Sequence, residues 1–186
     1  PKDVLIKIKK NISQEHIFIL LSTRIIMEYD IIGYGSLISH NSLKETCKDK
    51  EFQEVIIKGY KRIFNIAKNN KFDILNIKES KKDKLNAVLF KVNEKELKKL
   101  KEREDWYNFE ETLTYDFKTD KLLTNAMISI DHTVCIDKSN HPPNKSYFIL
   151  CREAAYHISK DFGKFWDETT FNSSGKKVSD WIKQHP

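Results

Sequence analysis

Cysteine is scarce in this chain, with three in 186 residues. Cys47, Cys135 and Cys151 lie far apart and form no Cys-x-x-Cys pair. That excludes a disulfide framework and a thiolate zinc cluster, and it points to a reducing, cytoplasmic setting. Histidine is no richer a source of metal ligands: His16, His40, His132, His141, His157 and His185 are dispersed, so no metal site is expected. Long apolar runs are missing too. Nothing approaches the roughly 20 residues of a membrane-spanning helix. Lys7, Lys9 and Lys10 before Ile17–Leu21 imitate a signal peptide only loosely, because Ser22-Thr23-Arg24 interrupts the run and no small-residue cleavage site follows. Internal repeats and low-complexity stretches are also absent.

What remains is the composition of a folded domain. Hydrophobic residues make up 39% and charged residues 32%, which suits one domain with a real core. The net charge of +6 raises nucleic acid as a partner. About half of that excess comes from residues 1–26, with five Lys/Arg against two Asp/Glu. Elsewhere the lysines are scattered, as at Lys95, Lys98, Lys99 and Lys101, in the manner of a solvated helix face. Nucleic acid is therefore disfavoured as a partner. Residues 1–26 read as a leader or appended segment of undefined role, with Met27 a candidate natural start, and residues 27–186 as a single domain.

Within that domain strands come first and helices concentrate late. Glu28–Tyr34 reads as a short buried strand and Ser42–Cys47 as a helical turn. Glu54–Ala67 reads as a long strand bent at Gly59. A partner strand over Lys71–Lys78 would pair with it across an Asn69-Asn70 turn, and Leu85–Val92 reads as a further strand. The period then changes: Asn93 with Glu96 makes a capping box for a helix over 94–104. Strands over 107–118 and 124–136 follow. Ser146 is placed to cap a helix reaching Ser159, and Asp161–Thr169 and Val178–Ile182 read as helices. The expected class is α+β, a curved or barrel-like mixed sheet with packed helices.

Two features carry possible chemistry. Asp30-Ile31-Ile32 breaks into Gly33-Tyr34-Gly35-Ser36, which spends two of the chain's five glycines at a strand end. Such a loop is either an ordinary tight turn or a cradle whose backbone N–H groups bind an anion. Later, Glu102 and Glu104 sit at a helix C-terminus beside Trp106 and Tyr107. They are either part of a charged surface or, being opposed by the helix dipole and close to aromatics, candidates for a raised pKa and a general-base role.

These stretches resemble the γ-glutamylcyclotransferase superfamily. Gly33-Tyr34-Gly35-Ser36-Leu37-Ile38 is similar to its signature loop in the glutathione-specific branch. Gly59-Tyr60-Lys61-Arg62-Ile63-Phe64 resembles its Gly-Tyr-basic-Arg-x-Phe strand, and Leu100-x-x-Arg103-Glu104 the segment carrying its catalytic glutamate. Pro143-Asn144-Lys145-Ser146-Tyr147 with Ala154-Ala155 resembles a Pro-x-x-x-Tyr…Gly-Ala helix. Asp105-Trp106-Tyr107 departs from the family's usual glycine after the glutamate. The resemblance spans about residues 28–170. It implies the γ-glutamylcyclotransferase-like fold and an enzyme that converts a γ-glutamyl compound to 5-oxoproline plus a free amine, without cofactor. Glutathione, γ-glutamyl amino acids and γ-glutamyl amines all remain open as substrates. Glu104 would be the base, Tyr34, Gly35, Ser36 and Leu37 the substrate loop, and Tyr147 a pocket wall bonding the glutamyl group. Arg62 and Arg103 could equally be structural. The rival reading is a non-catalytic binding protein on the same fold.

Overall fold

The computed structural model describes residues 27–68, 72–133 and 141–184. Residues 1–26, the Asn69-Asn70 turn and Cys135 lie outside them. The chain begins with β1 (Glu28–Gly33), a 3-10 turn (Ser36–Ile38) and α1 (His40–Lys44), followed by two long strands, β2 (Gln53–Lys68) and β3 (Phe72–Asn93). Next come α2 (Glu94–Arg103), β4 (Asn108–Asp116) and β5 (Leu122–Ile130). The C-terminal part holds α3 (Lys145–Ile158), α4 (Lys160–Thr169), β6 (Thr170–Phe171) and α5 (Val178–Gln184).

Five strands close on themselves. β2 pairs antiparallel with β3 and β4, β3 with β1, and β5 with β4, while β1 and β5 complete the ring in parallel. β6 adds a short parallel edge to β2 at Arg62 and Ile63. The barrel-like mixed sheet expected from the sequence is the architecture found. Closure buries both faces of the central strands. Ile31, Val55, Ile57, Leu85, Ala87, Val88 and Ile128 have no exposed surface, and α3 and α4 extend this core with Phe148, Phe162 and Trp166.

β2 bends where the sequence places Gly59. Its φ of 87° is a conformation that side-chain-bearing residues rarely adopt. The register shifts there: Lys58 pairs with Lys84, but Tyr60 pairs with Glu79. The polar stretch between Glu79 and Lys84 is taken up as a bulge, so one strand runs where two were expected. α2 starts as the capping box requires, with the Asn93 side chain accepting from the Glu96 N–H at 3.1 Å and Glu96 reaching back to the Asn93 N–H. The cap of α3 differs from expectation. Asn144, not Ser146, accepts the Tyr147 N–H at 3.0 Å, because the helix already begins at Lys145.

α3 and α4 lie close together over the barrel. Arg152 makes a two-pronged ion pair with Asp167, which also accepts from the Tyr156 hydroxyl at 2.9 Å. A Cβ on Gly163 would stand 2.4 Å from the Tyr156 ring, so this approach requires glycine. Gly163→Ala is expected to force the two helices apart and to destabilise the protein by about 1–3 kcal/mol, the usual cost of overpacking. A thermal or urea melt measures this, and an unchanged midpoint would contradict it.

Candidate active site

One end of the barrel gathers the residues singled out in the sequence. β1 delivers Tyr34 and the glycine loop, and α2 ends at Glu104. α3 carries Tyr147 in its first turn. Together with Leu37, Leu75, Tyr107 and Ser129 they line one cleft of about 240 Å³ counting its open mouth. Every residue assigned in advance to catalysis or substrate binding is therefore on this cleft. Sequence reasoning did not place Leu75 and Ser129 there. Ser129 did leave a trace, as the one polar residue in Met127-Ile128-Ser129-Ile130.

The glycine loop is held from several sides. Gly35 opens the 3-10 turn with no side-chain cap, and its carbonyl accepts the Ile38 N–H at 3.0 Å. The leading N–H groups of such a turn have no partner within it. A Cβ on Gly35 would stand 2.8 Å from the Tyr147 hydroxyl, and one on Gly33 would stand 2.8 Å from the Leu37 Cβ. Both glycines are thus demanded by close approach. From below, the buried Arg62 donates to the Tyr34 carbonyl at 3.1 Å, which orients the peptide entering the loop. Arg62 is structural, as one of its two readings allowed, and it does not line the cleft.

The cleft's polar side chains are three phenols, two serines and a carboxylate. Tyr107 donates from its hydroxyl to the Leu75 carbonyl at 2.8 Å. The Tyr147 hydroxyl bonds the Cys151 thiol, whose own pKa is pushed up to about 12 by burial. Burial holds the hydroxyls of Tyr34, Tyr107 and Tyr147 well above the usual tyrosine range, so all three remain protonated donors at neutral pH.

Glu104 is the C-cap of α2, its N–H bonded to the Leu100 carbonyl at 2.9 Å. Burial raises its pKa, while Arg103, whose Nε lies 3.3 Å from Oε1, pulls the other way and Asp105 adds to the rise. The raised pKa expected of this acid is therefore present, but one of its supposed causes is not. Trp106 is 77% exposed and does not line the cleft, so of the two aromatics that follow Glu104 only Tyr107 is part of it.

No protein-family profile matches the sequence, and no curated protein is significantly similar to it. Solved structures do resemble the fold. One described as a gamma-glutamyl cyclotransferase superposes with a TM-score of 0.63 at 16% identity, covering 85% of this chain and 99% of that one. An uncharacterised protein from Homo sapiens gives 0.63 at 17% identity over 84% and 96%. An AIG2-like protein from Mus musculus gives 0.50 at 16% identity over 64% and 88%. The chain has the γ-glutamylcyclotransferase-like fold. Among the described residues, no helix is long and apolar enough to cross a membrane.

The raised pKa of Glu104 has a consequence for stability. The folded protein holds this proton more tightly than the unfolded chain, whose reference value is 4.5, so ionisation above that pH works against the fold. Glu104→Gln is uncharged at every pH and is expected to melt higher than the wild type near neutrality. The gain should shrink as pH falls towards and below 4.5. Thermal melts across this range test the point, and a variant melting lower than the wild type at neutral pH would contradict it.

Proposed function

We propose that this protein is a γ-glutamylcyclotransferase-type enzyme that releases 5-oxoproline and a free amine from a γ-glutamyl compound. The observation that carries the reading is the meeting of Glu104, with its raised pKa, and the uncapped Gly35-Ser36-Leu37 loop in one cleft walled by protonated tyrosines. The fold shared with a structure described as a gamma-glutamyl cyclotransferase supports it.

The chemistry is an intramolecular aminolysis. The α-amino nitrogen of the glutamyl group attacks its own γ-carbonyl carbon, and the new C–N bond closes a five-membered ring. The old amide C–N bond then breaks and the amine leaves. Nucleophile and electrophile already belong to one molecule, so the protein's work is to hold the reactive rotamer and manage protons. The substrate nitrogen enters as an ammonium and must lose a proton. An ordinary glutamate with a pKa of about 4.3 is a weak base for this, and raising that value brings it closer to the working pH. Glu104 takes the proton and returns it to the departing nitrogen. The loop N–H groups face the developing oxyanion, where one fixed donor is typically worth roughly 3 kcal/mol. Tyr147 and Tyr34 donate to the glutamyl oxygens.

Glu104→Gln is expected to keep the fold and to lose 5-oxoproline release by about 10²-fold or more, the scale of a lost general base. Ser36→Ala should have the milder effect, since the backbone does the binding. The assay measures 5-oxoproline from glutathione, γ-glutamyl amino acids and γ-glutamyl amines side by side. Turnover by Glu104→Gln equal to the wild type's removes Glu104 as the base, and no product from any of the three classes removes the activity.

A further inference from the structure

Arg103 makes more contacts around the cleft than its place on a helix surface requires. Its Nη1 donates to the Ser42 carbonyl at 2.6 Å and to Thr46 Oγ1 at 3.1 Å. Its Nη2 donates to Ser42 Oγ at 2.7 Å and to Ser36 Oγ at 3.1 Å. The remaining nitrogen, Nε, faces Glu104 Oε1 at 3.3 Å. Every nitrogen of the guanidinium is thus occupied, and four of these five contacts reach the segment that runs from the glycine loop through α1 to Thr46 just beyond it. Only about a fifth of the side chain is exposed.

We propose that Arg103 is a positioning residue that ties Ser36 of the substrate loop to the carboxylate of Glu104 and fixes the spacing between them. This rests on the reading of Glu104 and the loop as two halves of one site. The geometry suits arginine specifically. A planar fork can serve acceptors on two segments and a carboxylate at once, whereas a lysine ammonium is a point charge on a flexible stem. The location also explains why an acid is tolerated at a helix C-terminus, where the backbone dipole opposes it: the cation beside it offsets the unfavourable field.

Other groups sense the same carboxylate. Asp105 follows it in the chain, and the hydroxyls of Tyr34 from the end of β1, Tyr107 from the turn after α2 and Tyr147 from α3 face it. The phenols stay neutral across the working range. Among the described residues Arg103 is the cation that lowers the Glu104 pKa, and its removal leaves burial and Asp105 to act without it.

The test is a carboxyl carbon NMR titration of protein labelled at glutamate, with the Glu104 resonance assigned by its absence in Glu104→Gln. In Arg103→Gln the Glu104 titration is expected to move upward. In Arg103→Lys it should move upward less, because charge is kept while the fork is lost. With the γ-glutamyl substrate turned over best, both variants should lower kcat by about 10²-fold, the scale of a misplaced reacting group, and leave KM within a few-fold. The acidic limb of the pH–rate profile should move with the NMR titration. An unchanged Glu104 titration in either folded variant overturns the proposal, as does a wild-type kcat in Arg103→Lys. Should the wild type yield no 5-oxoproline, the functional reading fails while the titration still decides whether Arg103 acts on Glu104.

Discussion

The fold around the cleft depends on one buried guanidinium. Arg62 has no exposed surface, and its donors reach Thr170 Oγ1, the Tyr34 carbonyl, the Asn86 carbonyl and side-chain oxygen, and Thr169 Oγ1 at 2.6–3.2 Å. The Trp166 ring lies 5.0 Å from its centre. Burying an unpaired cation is expensive, and here burial lowers its pKa to about 9, yet every hydrogen-bond partner it holds is a neutral oxygen. Those oxygens belong to four segments around β2: the glycine loop, β3, the end of α4 and β6. The hydrogen bonds of one cation thus join these four segments at a single buried point. Asn86 completes the arrangement by donating to the Phe162 carbonyl at 2.8 Å, which docks α4 onto the barrel. Truncating Arg62 would leave several neutral acceptors buried without donors, and each such orphan costs about 1–3 kcal/mol.

The two arginines divide the work by environment. Arg62 is sealed in a cage of neutral acceptors and shapes the loop from the core. Arg103 sits at the rim beside a carboxylate and grips the same loop from outside. Between them, Gly33 and Gly35 leave just enough space for Leu37 and the Tyr147 hydroxyl. The loop is therefore held by polar contacts from both arginines, at the Tyr34 carbonyl and at Ser36 Oγ. Conformational permissiveness at these positions serves close approach, not mobility.

Much of this was legible along the chain. The capping box at Asn93 and Glu96, the bend at Gly59 and the change of hydrophobic period at residue 93 are local signals, and they survive intact. The bulge between Glu79 and Lys84 was read as a break between strands because its charges interrupt the apolar alternation. Pairing with β2 resumes on either side, and that is a tertiary fact. The α3 cap shifted from Ser146 to Asn144 by a margin that sequence pattern does not resolve. Residue type and position drew attention to the glycine loop and to Glu104, each with a bland alternative, whereas Tyr147 and the joint assignment came forward only through the resemblance to the γ-glutamylcyclotransferase superfamily. The roles of Arg62 and Arg103 stayed undecided for a definite reason. Their acceptors lie 24 to 108 residues away for Arg62 and 57 to 67 for Arg103, and an arginine's own neighbours in sequence do not reveal them. Trp106 misled in the opposite way: adjacency to Glu104 suggested a hydrophobic cover, but the tight turn from Glu104 to Tyr107 points the two aromatic side chains apart.

That turn also bears on how a glutamate at a helix end becomes basic. Four influences act on Glu104: removal from water, the neighbouring Asp105, the opposing α2 dipole, and Arg103. The first three favour the protonated acid and the fourth favours the anion. If burial acted alone, the carboxyl would be held neutral and unable to accept a proton. If the ion pair acted alone, its pKa would fall and its affinity for the substrate's proton with it. The net upward direction shows that burial prevails without the pairing being lost. A base works best when neither limit is reached. The tyrosines strengthen this balance because, as neutral donors, they add polarity to the cleft without adding a charge that would tip it.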